Sequence, residues 1–292
     1  MRIALSLSIA TAAVLCAGAA AAGTSSKLPG RIVYSAPAKG GTGIFSISPN
    51  GGSAKRLTLT REDNGNPTWS ADGKRVAFES NRLGDWNIFT VRSDGTHVRE
   101  LTFSQGNDLD PSWSGRNKIA FESDRTGNSE VWVVNPDGSG ERQLTNNSAF
   151  DGDPGWSPDG RKIVFVRGSS TDRQIWVMNA DGSHQTQLTN TPGLNQNPSW
   201  APDRSAIAFD SNRNGQLEIY AMNVDGSDQT RLTNNGAIDA LPSWSPDSRH
   251  VAFVSDRSQR GIRRVYVMDA DGAHVHMLTH GGFDMSPDWA RG

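Results

Sequence analysis

An all-β, six-bladed β-propeller is the fold this sequence predicts, and three observations predict it. A tryptophan returns at Trp69, Trp113, Trp156, Trp200, Trp244 and Trp289, with strides of 44, 43, 44, 44 and 45 residues. Each follows a proline by two residues, and a turn resembling Ser-Pro-Asp-Gly usually comes next. A period near 44 is that of propeller blades built from four short strands. The third observation is that the two chain ends are complementary, as the elements show when taken in order.

The repeat beginning at Pro111 illustrates the unit. Pro111-Ser112-Trp113-Ser114 reads as a first strand, with proline at a position that tolerates a missing donor. Lys118-Ile119-Ala120-Phe121 is a second strand, and Ser123-Asp124-Arg125-Thr126-Gly127 a polar connection. Val131-Trp132-Val133-Val134 is a third strand, rich in β-branched and aromatic residues. Asp137-Gly138 supplies the positive φ of a tight hairpin turn, and Gln143-Leu144-Thr145 is the outermost strand. The same order recurs from Pro67, Pro154, Pro198 and Pro242.

The ends complete a sixth unit. The N-terminal side opens at a second strand, Arg31-Ile32-Val33-Tyr34, and runs through Gly43–Ile47 to Arg56-Leu57-Thr58. It lacks a first strand, and Pro287-Asp288-Trp289-Ala290 at the C-terminus supplies one. One C-terminal strand joining three N-terminal strands closes the ring and leaves no open sheet edge.

Residues 1–22 read as a cleavable secretory signal. Arg2 precedes an apolar run from Ile3 to Cys16, and Ala20-Ala21-Ala22 offers a small-residue cleavage site. The division expected is a signal over 1–22, a linker over 23–30 and the propeller over 31–292. Leu15 stands where a lipoprotein signal needs a small residue, so Cys16 is not read as a lipid anchor. Cys16 is the single cysteine, so no disulfide is expected in the exported domain. The expected location is periplasmic or secreted, without a transmembrane anchor and as a monomer. The chain has 29 Lys+Arg against 31 Asp+Glu, with no basic excess to condense on phosphate, which argues against nucleic acid as a partner.

Most recurring residues read as architecture. The tryptophans fill wedges between blades, Asp72-Gly73 and Asp159-Gly160 make turns, and Arg82, Arg125, Arg213 and Arg257 bond groups within their own blades. Trp156-Ser157-Pro158-Asp159-Gly160 and Ile175-Trp176-Val177-Met178-Asn179-Ala180-Asp181-Gly182 resemble the repeat of TolB-type propellers, from about Arg31 onward. The resemblance implies a six-bladed ring and a cell-envelope role in binding a protein. The α/β domain that precedes the propeller in TolB has no counterpart in residues 23–30. No Gly-x-Ser-x-Gly elbow marks a peptidase.

Candidate site residues precede each repeated proline. Three residues before it stand Asn64, Asp108, Asp151, Asn195, Asp239 and Asp284; one before it stand Asn66, Asp110, Asp153, Asn197, Leu241 and Ser286. First strands are innermost in a propeller, so these oxygen-bearing side chains are expected at the mouth of the central channel. They would hold a protein or peptide partner. Repelling carboxylates there also suit a hard cation, and Asp108, Asp151, Asp239 and Asp284 are the candidate calcium ligands. TolB-type propellers are known for acidic tunnels holding cations. Capping of loop amides by the same Asp and Asn side chains is the competing reading. His274, His276 and His280 are too exposed in position to read as a zinc site, since His97 and His184 share the turn-exit position of His274. The functional expectation is a non-catalytic binding or scaffold module. The alternative is a calcium-dependent hydrolase or lactonase with an axial site, which near-regular repeats and the absence of histidine from the axial loops disfavour.

Overall fold

In a computed structural model, which describes residues 27–59 and 61–290, the chain forms six four-stranded antiparallel sheets and no helix among the described residues. Residues 1–22, read as a signal, lie outside them. Blade 1 consists of Met285–Ala290, Arg31–Ala38, Gly41–Ile47 and Lys55–Arg56, in that spatial order. The clasp is thus a C-terminal strand on an N-terminal one, with Arg31 opposite Ala290, Ile32 opposite Trp289 and Val33 opposite Asp288. The other five blades are simple meanders; blade 3, for example, runs Asp108–Trp113, Ile119–Ser123, Glu130–Val134 and Arg142–Gln143.

The core lies between blades. Trp69 packs with Val33, Ile44 and Leu57 of blade 1 as well as Val76 and Phe78 of its own blade 2. Trp156 likewise bridges Ala120, Val131 and Val133 of blade 3 to Ile163 and Phe165 of blade 4. A planar indole suits these wedges because twisted sheets diverge outward from the axis. One phenylalanine per blade, from Phe78 through Phe121, Phe165 and Phe209 to Phe253, is fully buried in blades 2–6.

The Leu-Thr pair ending each repeat has a specific task. The outermost strand is only two residues long, so it leaves third-strand amides without a backbone partner. The threonine hydroxyl accepts one of them, from Ile88 N to Thr102 at 3.0 Å, Val131 N to Thr145 at 2.9 Å and Ile175 N to Thr189 at 2.8 Å. These threonines are buried, which makes the bond obligatory.

Each innermost strand carries a bulge. Pairing in blade 3 slips between Leu109 and Ser112, and in blade 5 between Gln196 and Ser199. The residue before the proline sits there in the left-handed region, with φ of 41° at Asn66, 49° at Asp110, 48° at Asp153, 52° at Asn197, 58° at Leu241 and 49° at Ser286. Asn and Asp tolerate this conformation best among residues with a Cβ. A bulge re-aims a side chain, and here it turns one row toward the channel.

Candidate functional site

The two rows of candidate residues part company in space. The row three residues before the proline is buried in the blades. One terminal nitrogen of Arg125 donates to both oxygens of Asp108 at 2.9 Å, Arg167 reaches Asp151 at 2.6 and 2.7 Å, and Arg257 meets Asp239 at 2.7 Å. Arg82 and Arg213 donate to Asn64 and Asn195 at 2.7 and 2.6 Å. Each guanidinium also lies over an aromatic pair, as Arg125 does over Phe121 and Trp132. Asp284 has no such arginine; Thr279 bonds it, and burial raises its pKa. Five arginines therefore engage five of the six positions of the row, so Asp108 and Asp151 are held within their blades through both oxygens and Asp239 through one.

Arg167 was not among the recurring arginines. It belongs to the second strand of blade 4, Lys162–Gly168, opposite Asp151 and two repeat positions before those that Arg125 and Arg213 occupy in their loops. Its guanidinium nevertheless arrives at the same acid, which only the fold reveals.

The row immediately before the proline lines the channel. With the prolines that follow, it surrounds a cavity of about 360 Å³. Side-chain bonds link the row across seams: Ser286 donates to Asn66, and Asn66 donates to Asp110 at 2.5 Å. Behind it stands a second set of acids that the sequence reading passed over, namely Glu79, Glu122 and Asp210. They sit on the second strands of blades 2, 3 and 5, where blades 4 and 6 have Val166 and Val254. The detectable signal was an acid interrupting an apolar strand at one repeat position.

These acids clamp neighbouring blades. Glu79 accepts the Asp110 N–H at 2.9 Å and Asp210 accepts the Leu241 N–H at 2.9 Å, each across a seam. Asp288 accepts the Trp69 N–H at 2.7 Å from the clasp strand. The left-handed bulge exposes an amide, and the preceding blade supplies its acceptor.

Burial dominates their electrostatics. It pushes Glu79, Glu122 and Asp210 up to about 7 and Asp288 to about 6. Asp110 is also raised well above the usual range, by burial first and then by Glu79, Asp153 and Glu122. Burial raises Asp153, which Arg173 opposes. Asp110, Glu122 and Asp153 bring carboxylate oxygens within 4.8 Å of one another, the described group with metal-ligand spacing. Arg173, stacked 4.0 Å from the Phe150 ring, is the cation nearest in effect to all three. The mouth is therefore lopsided, acidic over blades 2–4 and apolar at Leu241 of blade 6.

The connections that enter the innermost strands carry exposed apolar residues. Leu59 (82% exposed) and Phe103 (75%) lie in the connections leading into the innermost strands of blades 2 and 3. Leu83 (68%) ends the second strand of blade 2, and Phe283 (57%) precedes the clasp strand. At the position of Leu59 and Phe103, the remaining connections have Asn146, Asn190, Asn234 and His280. The histidines read as turn exits are such: His97, His184 and His274 are exposed at φ of 55°, 56° and 51°, and His274 bonds Asp269 of its own turn at 2.6 Å.

Comparison with known proteins places this ring. No curated protein matches the chain. The structure is similar to TolB from Acinetobacter baumannii, with a TM-score of 0.79 and 22% identity over 91% of this chain and 67% of that one. It is also similar to a putative TolB from Agrobacterium tumefaciens, with a TM-score of 0.68 and 25% identity over 89% of this chain and 90% of the other. An oligogalacturonate lyase from Vibrio parahaemolyticus shares the fold at a TM-score of 0.60 and 16% identity, over 84% and 73% of the two chains. The family described as TolB beta propeller domain matches over residues 55–169, 115–190 and 184–291, which together span most of the ring. The chain belongs to the TolB beta propeller domain family.

Proposed function

We propose that this propeller is a non-catalytic binding module of the cell envelope that holds a protein or peptide partner on its channel-mouth face. One observation carries the reading: the exposed apolar residues Leu59, Leu83 and Phe103 gather in the connections around blade 2, beside the blades that carry the acidic cluster of the channel. Apolar residues ringed by polar loops are what a docking surface offers. Loops set on a rigid ring are the usual place for such a surface. The acidic half of the mouth favours a partner that presents a cationic group toward Asp110 and Asp153. Export to the envelope rests on the signal pattern of residues 1–22 and on similarity to TolB, and no helix among the described residues is long and apolar enough to cross a membrane.

Calcium binding at the mouth belongs to the same reading, with Asp110, Glu122 and Asp153 as oxygen ligands in place of the arginine-paired row. Two measurements test the proposal. Envelope extract is passed over the wild type and over Leu59→Asn/Phe103→Asn, which places the asparagine of other blades at both sites. A partner retained by the first and lost by the second is expected; equal retention overturns the docking face. Calorimetric titration with calcium is expected to give saturable heat that Asp153→Asn abolishes, and a silent wild type removes the cation.

A further inference from the structure

Away from the axis, the turns of blade 2 form a cleft of different chemistry. It lies between the outer parts of blades 2 and 3 and has a volume of about 810 Å³. Lys74, Arg75, Arg92, His97 and Arg99 line it, with Val98 and Pro136 as its apolar walls. Two carboxylates share the cleft, and each is occupied locally. Asp72 accepts from the Ser70 hydroxyl at 2.7 Å and the Lys74 N–H at 3.1 Å. Asp94 accepts from the Thr96 N–H at 2.9 Å and its hydroxyl at 2.6 Å. Four permanent cations therefore face two carboxylates that close their own turns.

Two of the cations are held in place. Arg75 lies against Trp113 at 5.0 Å from the ring centre, and Arg99 donates to the Asp137 carbonyl across the seam at 2.8 Å. Lys74 and Arg92 are exposed, and neither takes part in a salt bridge among the described residues. Arg92 departs from the repeat. Blades 3, 4 and 5 have Asn135, Asn179 and Asn223 at its position, each bonding its own turn through Ser139, Ser183 or Ser227 at 2.9, 3.0 and 2.9 Å. Blade 2 gives up that clamp and places a guanidinium over the cleft instead. At the position of Lys74, blade 5 has Ser205.

We infer that this cleft is a second binding site, for an acidic peptide segment of a partner protein. Its volume exceeds what a single inorganic anion fills, and its cations are spread over three chain segments rather than converging on one point. Arginine forks match carboxylates in pairs, and Val98 (41% exposed) can cover the methylene stems of glutamates. The whole chain has a formal charge of −2, so a long polyanion that overran the cleft would meet repulsion. A short acidic segment fits the local field and avoids the rest.

The test uses a dye-labelled octaglutamate peptide and fluorescence anisotropy with the full chain. Wild type is compared with Arg92→Asn/Lys74→Ser, whose new residues already occupy these positions in other blades, so folding is expected to persist; a thermal melt verifies it. Arg142→Thr, which removes a cation from the corresponding strand of blade 3, is the control for bulk charge. Saturable binding by wild type is expected, weakened about fivefold to tenfold in the double variant at low salt and little changed in the control. The difference should shrink as salt screens it. Absence of saturable wild-type binding overturns the site, as does unchanged affinity in the double variant or equal loss in the control. Inorganic phosphate that displaces the peptide at the peptide's own concentration would overturn the assignment to a peptide.

Discussion

Glu79→Gln isolates the cost of a carboxylate buried at a blade seam. Glu79 accepts the Asp110 N–H at 2.9 Å, and burial pushes its pKa from 4.5 up to about 7. A carboxyl with a raised folded pKa binds a proton that the unfolded chain releases. Its contribution to stability is therefore fully present below about pH 4.5 and is lost as pH rises through 7. A rise from 4.5 to about 7 corresponds to about 3 kcal/mol across that window. Glutamine keeps an oxygen for the Asp110 amide and cannot ionise. It also removes Glu79 as the first charge raising Asp110. Urea unfolding of both proteins from pH 4.5 to 8 is the assay, read as the difference in unfolding free energy at each pH. The variant should gain on the wild type by about 3 kcal/mol from the acid to the alkaline end. Parallel stability curves, with a constant offset at every pH, would refute the assignment of Glu79 as a seam acid that protonates near neutrality.

Three further outcomes follow from the blades. Arg167→Ala leaves Asp151 buried beside no guanidinium and should cost about 3–5 kcal/mol in urea unfolding, most of it recovered by adding Asp151→Asn. Thr189→Val keeps the shape but removes the acceptor of the Ile175 N–H, so calorimetric melting should reveal a loss of about 1–3 kcal/mol. Leu241 is held at φ 58°, and Leu241→Asn should stabilise the ring by up to about 1 kcal/mol in the same measurement, with destabilisation counting against backbone strain there.

The repeat was legible because its determinants are local or periodic. Asp-Gly turns need only their own φ angles, the strands need only alternation, and a tryptophan every 44 residues demands the same wedge at every seam. Even ring closure could be read from Pro287-Asp288-Trp289 lacking a blade of its own. The candidate row before each proline was legible as well, because Asn and Asp at a bulge keep a constant place in the repeat.

Which of two oxygen-bearing rows faces the axis was not legible, since residues only two apart differ in direction through the bulge between them. The left-handed turn at Asp110 and Asp153 points those carboxylates into the channel, while Asp108 and Asp151 turn back onto Arg125 and Arg167. Nor could the sequence pair Glu79 with Asp110, 31 residues away in the next blade. Repeat periodicity determined the ring, because every blade solves the same packing problem. The acid cluster and the seam clamps were decided by tertiary structure, because each joins residues of neighbouring blades, and the basic cleft because it gathers three separated segments of blade 2 against Pro136 of blade 3.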